Sequence, residues 1–203
     1  MERRHMRRDV FKRGKYLDIV KHIPIIDLCD IDEMASGDDQ FVQKMAWCRK
    51  GRRFIKLQIV IGGKHYSVIA AYCLFGFICW SIIEGSYTGE HFAAFLAKLA
   101  PMLHFTSFGI IDNSSTHKTP DALHTLNSTF RGQYFFSAEY SPDLKPIEKG
   151  FSQVKRWIRR REDDATRDPV GTINSAFELY STTGEKSSAA RGNWKIYFSN
   201  SQF

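Results

Sequence analysis

Three acids in this 203-residue chain are placed to do chemistry. Asp32 closes an apolar run of strand length, Ile23 to Ile31 (IPIIDLCDI), and Asp112 closes a second, Ser107 to Ile111 (SFGII). In open α/β sheets, ligands gather at the carboxyl ends of strands. If the two strands are neighbours, their carboxylates lie close together, and like charges so placed need compensation. Oxygen donors without a His or Cys cluster favour Mg²⁺, which takes one or two carboxylates and completes its shell with water and phosphate oxygens. Glu148 adds a third acid from the first turn of a helix. Three carboxylates suffice for two metal ions about 3.5 to 4 Å apart, the arrangement that clamps the attacking and leaving oxygens of a phosphoryl displacement. A glutamate at a helix start also has a plain structural use, because it interacts favourably with the helix dipole.

The elements that must position these acids are legible to different degrees. Lys145 precedes a proline and is biased to extended backbone, while Pro146 suits the first helical position. Ile147, Phe151, Val154 and Ile158 then recur at helical spacing, with Lys149, Gln153, Arg156 and Arg160 elsewhere on the wheel. Lys64 to Leu74 and Phe77 to Glu84 read as a hairpin turning at Phe75-Gly76, and this explains the uncharged run Ser67 to Ile83 better than a membrane span does. Thr88 caps a helix reaching about Leu103, Thr119-Pro120 caps another through Phe130, and Tyr134 to Ser137 makes a last strand. Phe54 to Ile61 adds a further short strand before Gly62-Gly63. The order predicts an α/β fold, a mixed sheet with helices packed on it.

Charge is segregated along the chain. Of a net +7, residues 1–22 carry eight basic residues against three acids, residues 44–56 six against none, and residues 145–161 seven against Glu148 alone. Such basic segments suit a partner rich in phosphates. Cys29, Cys48, Cys73 and Cys79 form no CxxC pair and read as buried thiols of a reducing compartment. Met1 to Lys21 is basic throughout and lacks the apolar run of a secretory signal.

Four blocks, CDIDE (Cys29 to Glu33), AWCRKGRR (Ala46 to Arg53), IIDNSSTHK (Ile110 to Lys118) and YSPDLKPIEKGFSQVKR (Tyr140 to Arg156), carry a family resemblance. In order and spacing the chain resembles the catalytic domain of the Tc1/mariner and IS630 group of DDE transposases, with 35 residues between Asp112 and Glu148 as in the DD35E subgroup. The resemblance implies a ribonuclease H-like, integrase-like fold. It makes Asp32, Asp112 and Glu148 the catalytic metal ligands for two Mg²⁺ ions, with Mn²⁺ able to substitute. It implies DNA strand hydrolysis followed by strand transfer, with transposon ends and target DNA as partners, a homodimer as a possible assembly and no membrane. Nuclear localisation follows if the source is eukaryotic, cytoplasmic otherwise.

Asp30 is the rival for the first position, being on the same strand face as Asp32, and Asp143 reads as a turn former. DNA contacts are expected from Arg49, Lys50, Arg52 and Arg53 in the basic turn, and from Asn113, His117 and Lys118 after the second aspartate. They are also expected from Lys149, Lys155, Arg156, Arg159 and Arg160 on the last helix. His117 has an equal alternative as a loop histidine with a structural hydrogen bond, and Trp47 reads as a loop anchor. The expected organisation is a basic arm (1–22), a catalytic domain (23–165) and a partly flexible tail (166–203), with Gly184 to Gly192 as linker. The chain begins about thirty residues before Asp32, too few for the helix-turn-helix modules the family carries ahead of this domain. Lys145 and the Lys149-Gly150 pair depart from the family pattern. The alternative function is a decayed or domesticated derivative that binds nucleic acid without cutting it.

Overall fold

The computed structural model describes residues 9–37, 48–52, 64–138 and 141–194. Five strands, β1 (Leu28–Gly37), β2 (His65–Cys73), β3 (Gly76–Glu84), β4 (Phe108–Ile111) and β5 (Tyr134–Phe136), form one sheet in the order β3-β2-β1-β4-β5. Antiparallel pairing joins β1, β2 and β3, while β4 and β5 continue parallel to β1. This is the mixed, helix-flanked sheet that the sequence predicts. The uncharged run is the β2–β3 hairpin, and Val68 to Ala71 are all buried because helices cover both faces. Among the described residues no helix is long and apolar enough to cross a membrane.

Two layers of helices sandwich the sheet. On one face α2 (Gly89–Leu99) and α3 (Pro120–Phe130) bring Phe92, Phe95, Leu96 and Phe130 against Cys29, Ile31 and Ile111. Thr88 and Thr119 cap these helices as expected, each side chain accepting from a backbone N–H of the first turn. The other face is covered by α1 (Val10–Val20), α4 (Pro146–Arg159), α6 (Pro169–Leu179) and α7 (Ser188–Asn193), with α5 (Glu162–Arg167) linking α4 to α6. Tyr16, Val20, Ile147, Phe151, Val154, Ile158 and Phe177 pack there against Leu28, Met34, Val68, Ala70 and Ile110. Side chains alternate along β1, so Asp30 and Asp32 face the α4 layer while Ile31 and Glu33 face the α2–α3 layer.

Several expectations need correction. The first strand does not start at Ile23: Pro24 and a 3-10 turn over Ile25–Asp27 precede β1, which runs through Asp32 to Gly37 because it goes on pairing with β2 after β4 has stopped. The basic arm is in part α1, seated by Tyr16 and Val20. The tail is not a flexible linker as far as Trp194. Phe77 exchanges backbone hydrogen bonds with Tyr180 and Thr182, and the Trp194 indole is buried and donates to the Cys73 carbonyl at 2.9 Å. Gly184 serves close packing, since a Cβ there would stand 2.1 Å from the Glu178 carbonyl oxygen. Cys29 and Cys79 are buried as read, whereas Cys48 is exposed. Trp47, Arg53 and the strand expected at Phe54 to Ile61 lie outside the described residues.

Candidate active site

Strand register brings the two aspartates together. The last parallel pair of β1 and β4 is Ile31 opposite Ile111, so Asp32 and Asp112 are the next residues on adjacent chains. Asp32 is thus at the carboxyl edge of the parallel half of the sheet although it lies inside β1. The expected neighbourhood holds, by way of where β4 ends and not where β1 ends.

The third acid arrives on α4. Pro146 opens this helix, and its N-cap, Lys145, offers no capping side chain. The cap comes instead from across the fold: the Ile147 N–H donates to Asp30 Oδ2 at 3.2 Å, placing a carboxyl at the positive end of the helix dipole. Asp30 is 0% exposed and anchors the helix from beneath the site. Burial pushes its carboxyl up to about 8, with Lys145 pulling down and Asp32 adding to the rise. Glu148, in the same helical turn, is open to solvent. Its carboxyl is nevertheless held above the ordinary glutamate range by partial desolvation and then by the charge of Asp32, opposed by Lys145 and Lys155 and reinforced by Asp112. Asp32 and Asp112 both act on Glu148.

Lys145 is the residue that sequence reasoning passed over. Its side chain is 6% exposed, and Nζ lies 2.6 Å from Asp32 Oδ2 and 3.9 Å from Asp30 Oδ1. Burial alone would lower its pKa, but the charges of Asp30, Asp32 and Asp112 outweigh that and hold it above the ordinary lysine range. A buried ion typically costs several kcal/mol unless it is paired, and here the aspartates offset the cost. The signal that could have found it is chemical. Acids gathered at one sheet edge need a cation, and Lys145 stands at the N-cap of the helix whose first turn carries Glu148.

The donor set fits a divalent cation in kind, being hard carboxylate oxygens around a spot that already accommodates a positive group. As arranged, Lys145 is that group, and among the described residues no three His, Cys, Asp or Glu side chains stand close enough to hold a metal ion.

The expected DNA-contacting residues separate into three groups. Arg156, Arg159 and Arg160 are exposed along α4, as are Arg49, Lys50 and Arg52 in the basic turn. Lys155 is half-buried with its ammonium depressed by desolvation, and Lys149 reaches the Asn193 carbonyl at 3.4 Å, tying α4 to α7. Lys118 donates to Asn113 Oδ1 and lies over the Phe136 ring, 5.1 Å from its centroid. His117 does not reach the surface. It is 1% exposed, stacks on Phe92 with centroids 4.2 Å apart, and bridges Glu33 Oε1 at 3.1 Å and the Asp112 carbonyl at 3.2 Å. Burial excludes the phosphate contact expected of it and leaves the structural alternative. Asp143 is a tie and not merely a turn former: it receives both terminal guanidinium nitrogens of Arg13, at 2.9 and 2.8 Å, while the Tyr16 hydroxyl donates to the Leu144 carbonyl at 3.4 Å. These contacts fasten α1 to the loop that delivers Lys145 and Glu148.

Comparison with known proteins follows this geometry. The family model described as DDE superfamily endonuclease matches residues 27–168. Among solved structures, the Mos1 mariner paired end complex with Mn is similar over 100% of this chain and 66% of that one, with TM-score 0.70 and 15% identity. The catalytic domain of Mos1 mariner transposase is similar over 100% and 98%, with TM-score 0.65 and 13% identity. A pre-cleavage Mos1 transpososome gives TM-score 0.67 at 14% identity, and this chain spans 62% of the length of the transposase chain there. No curated protein matches the sequence.

Proposed function

The chain belongs to the DDE superfamily of endonucleases, and from that premise we propose that it is the catalytic part of a Tc1/mariner-like transposase. Its fold is ribonuclease H-like. The reaction is phosphodiester hydrolysis of one DNA strand, then attack of the freed 3′-hydroxyl on a target strand. One observation carries this reading: Asp32 and Asp112 follow the last parallel pair of β1 and β4 side by side, and Glu148 is perturbed by both.

Each part of the chain has a task in this scheme. Asp32, Asp112 and Glu148 would hold Mg²⁺ or Mn²⁺, two ions in the full complement, which when bound supply activation of the attacking oxygen and stabilisation of the leaving one. Asp30 fixes the start of α4, and with it the reach of Glu148. Exposed Arg156, Arg159 and Arg160 place positive charge along α4, suited to the phosphates of transposon end and target. The working assembly is a homodimer, acting in the nucleus if the source is eukaryotic and in the cytoplasm otherwise.

The test is strand cleavage of DNA carrying the matching terminal inverted repeats, in Mg²⁺ or Mn²⁺. Wild type nicks the DNA, and Glu148→Gln does not while still retaining it in a mobility-shift assay. Equal nicking by both would overturn the proposal. Binding by wild type without any nicking would return the reading to a derivative that has kept only the nucleic-acid surface.

A further inference from the structure

The geometry points to Lys145 as a built-in cation of the acid cluster, which holds the metal-free site together and which a divalent ion must displace from Asp32. This inference rests on the reading of Asp32, Asp112 and Glu148 as the ion-binding acids.

The position of Lys145 is otherwise unfavourable. It sits at the N-terminal end of α4, where the helix dipole opposes a positive charge, and its side chain is almost entirely out of water. Nothing local in the loop demands this. The Lys145 N–H is used by the Pro142 carbonyl at 3.1 Å, and Pro146 fixes the direction of the chain into the helix. The side chain stays inside because Asp32 Oδ2 lies 2.6 Å from its ammonium, with Asp30 Oδ1 at 3.9 Å and the negative charge of Asp112 also acting on it.

The same contacts define a competition. Asp32 Oδ1 accepts from the Glu33 N–H at 2.8 Å, and Lys145 is on the other oxygen, Oδ2. A divalent ion bound there with the ammonium in place would meet a positive charge at contact distance inside a poorly solvated site, where screening is weak. Occupancy by the lysine and by the metal are therefore alternatives. The chain reaches a folded site whose acids are partly compensated without metal, at the cost of weaker metal affinity.

The experiment is Mn²⁺ binding to the full chain, followed by electron paramagnetic resonance of the free ion and by the metal-dependent shift of melting temperature. Wild type is compared with Lys145→Met, which keeps the apolar stem, and Lys145→Gln, which keeps a donor. Both variants should bind Mn²⁺ at least tenfold more tightly than wild type. They should melt below it without metal and gain more from saturating Mn²⁺. Equal affinity in all three overturns the inference while leaving the acid site standing. If Asp112→Asn placed in the Lys145→Gln protein leaves Mn²⁺ affinity unchanged, the reading of the acids fails, and the inference with it. Should neither lysine variant fold, wild type decides alone: in amine-acylation footprinting read by mass spectrometry, Lys145 should be protected without metal and labelled several-fold faster in Mn²⁺. Unchanged protection overturns displacement.

Discussion

Asp32 and Glu33 are consecutive on β1, point to opposite faces of the sheet, and each meets a buried basic side chain, Lys145 at 2.6 Å and His117 at 3.1 Å. Around Glu33 the arrangement is complete: one carboxylate, one imidazole held between Phe92 and the Asp112 carbonyl, and the apolar packing of α2 and α3 beyond. Around Asp32 it is not, since Asp30, Asp112 and Glu148 crowd the same ammonium. A surplus of like charge on one face and a single hydrogen-bonded carboxylate on the other separate a site that must recruit positive charge from a joint that only holds two layers together. Motif membership alone does not make this distinction, because His117 and Glu148 both lie in blocks that resemble the family.

The sharpest way to break the comparison is to neutralise one acid on the crowded face. Asp112→Asn should lower strand cleavage about a thousandfold, as expected for loss of roughly 4 kcal/mol of transition-state stabilisation. The melting temperature of the metal-free protein should hold or rise, because a like charge has been removed. A melting temperature that falls as far as in a core truncation would mean that this face is scaffolding too. Asp30→Ala is the contrasting case on the same face. It leaves the Ile147 N–H without its acceptor in a fully buried place, a loss of about 1 to 3 kcal/mol. Urea denaturation measures it, and a loss under about 1 kcal/mol would remove Asp30 as the anchor of α4.

The sequence makes the two faces legible to different depths. The apolar stripe of α4, the hairpin and the Thr88 and Thr119 caps follow from periodicity and cap chemistry, and they appear where expected. The pairing of Asp32 with Asp112 depends on where β4 ends and not on where β1 ends, because periodicity shows that a run is strand-like but not which neighbour stops pairing first. The joint between Glu33 and His117 spans 84 positions of sequence, and the tie between Arg13 and Asp143 spans 130. No local pattern encodes either. Lys145 is legible in the sequence by its backbone, as the residue before a proline, but not by its side chain, whose partner Asp32 lies on a distant strand. The segment from Gly184 to Gly192 shows the limit of composition: small polar residues read as linker, yet α7 and Trp194 close the α4 layer over Tyr72.

The α2–α3 face gives the next test. His117→Ala should cost about 1 to 3 kcal/mol, the range for leaving a buried hydrogen-bonding partner unsatisfied. Its DNA affinity should match wild type, because the ring never reaches solvent. Arg156→Ala or Arg159→Ala should do the opposite, with stability unchanged and the salt dependence of DNA binding shallower by about one in slope. Weaker DNA binding by folded His117→Ala would show that the α2–α3 face shares in recognition.

The last test separates the faces by pH. Asp30 has an ordinary pKa of 3.8 and is pushed up to about 8 in the fold. Between those values the folded protein keeps a proton that the unfolded chain has released, so stability falls as pH rises through this window and levels off above it. Glu148, also raised, adds a slope of the same sign above its ordinary 4.5. Lys145 is raised as well, so its contribution is present throughout this window and is lost only as pH climbs beyond the ordinary lysine range. Asp30→Asn resembles the protonated acid and should flatten the plot of melting temperature against pH, with the two proteins closest at the acidic end. If wild type instead holds level from about pH 5 to 8 and loses stability below about pH 4 while the variant does not, Asp30 is ionised in the fold. Lys145 would then be shared by one more full negative charge, and the imbalance between the two faces of β1 would be larger than burial alone implies.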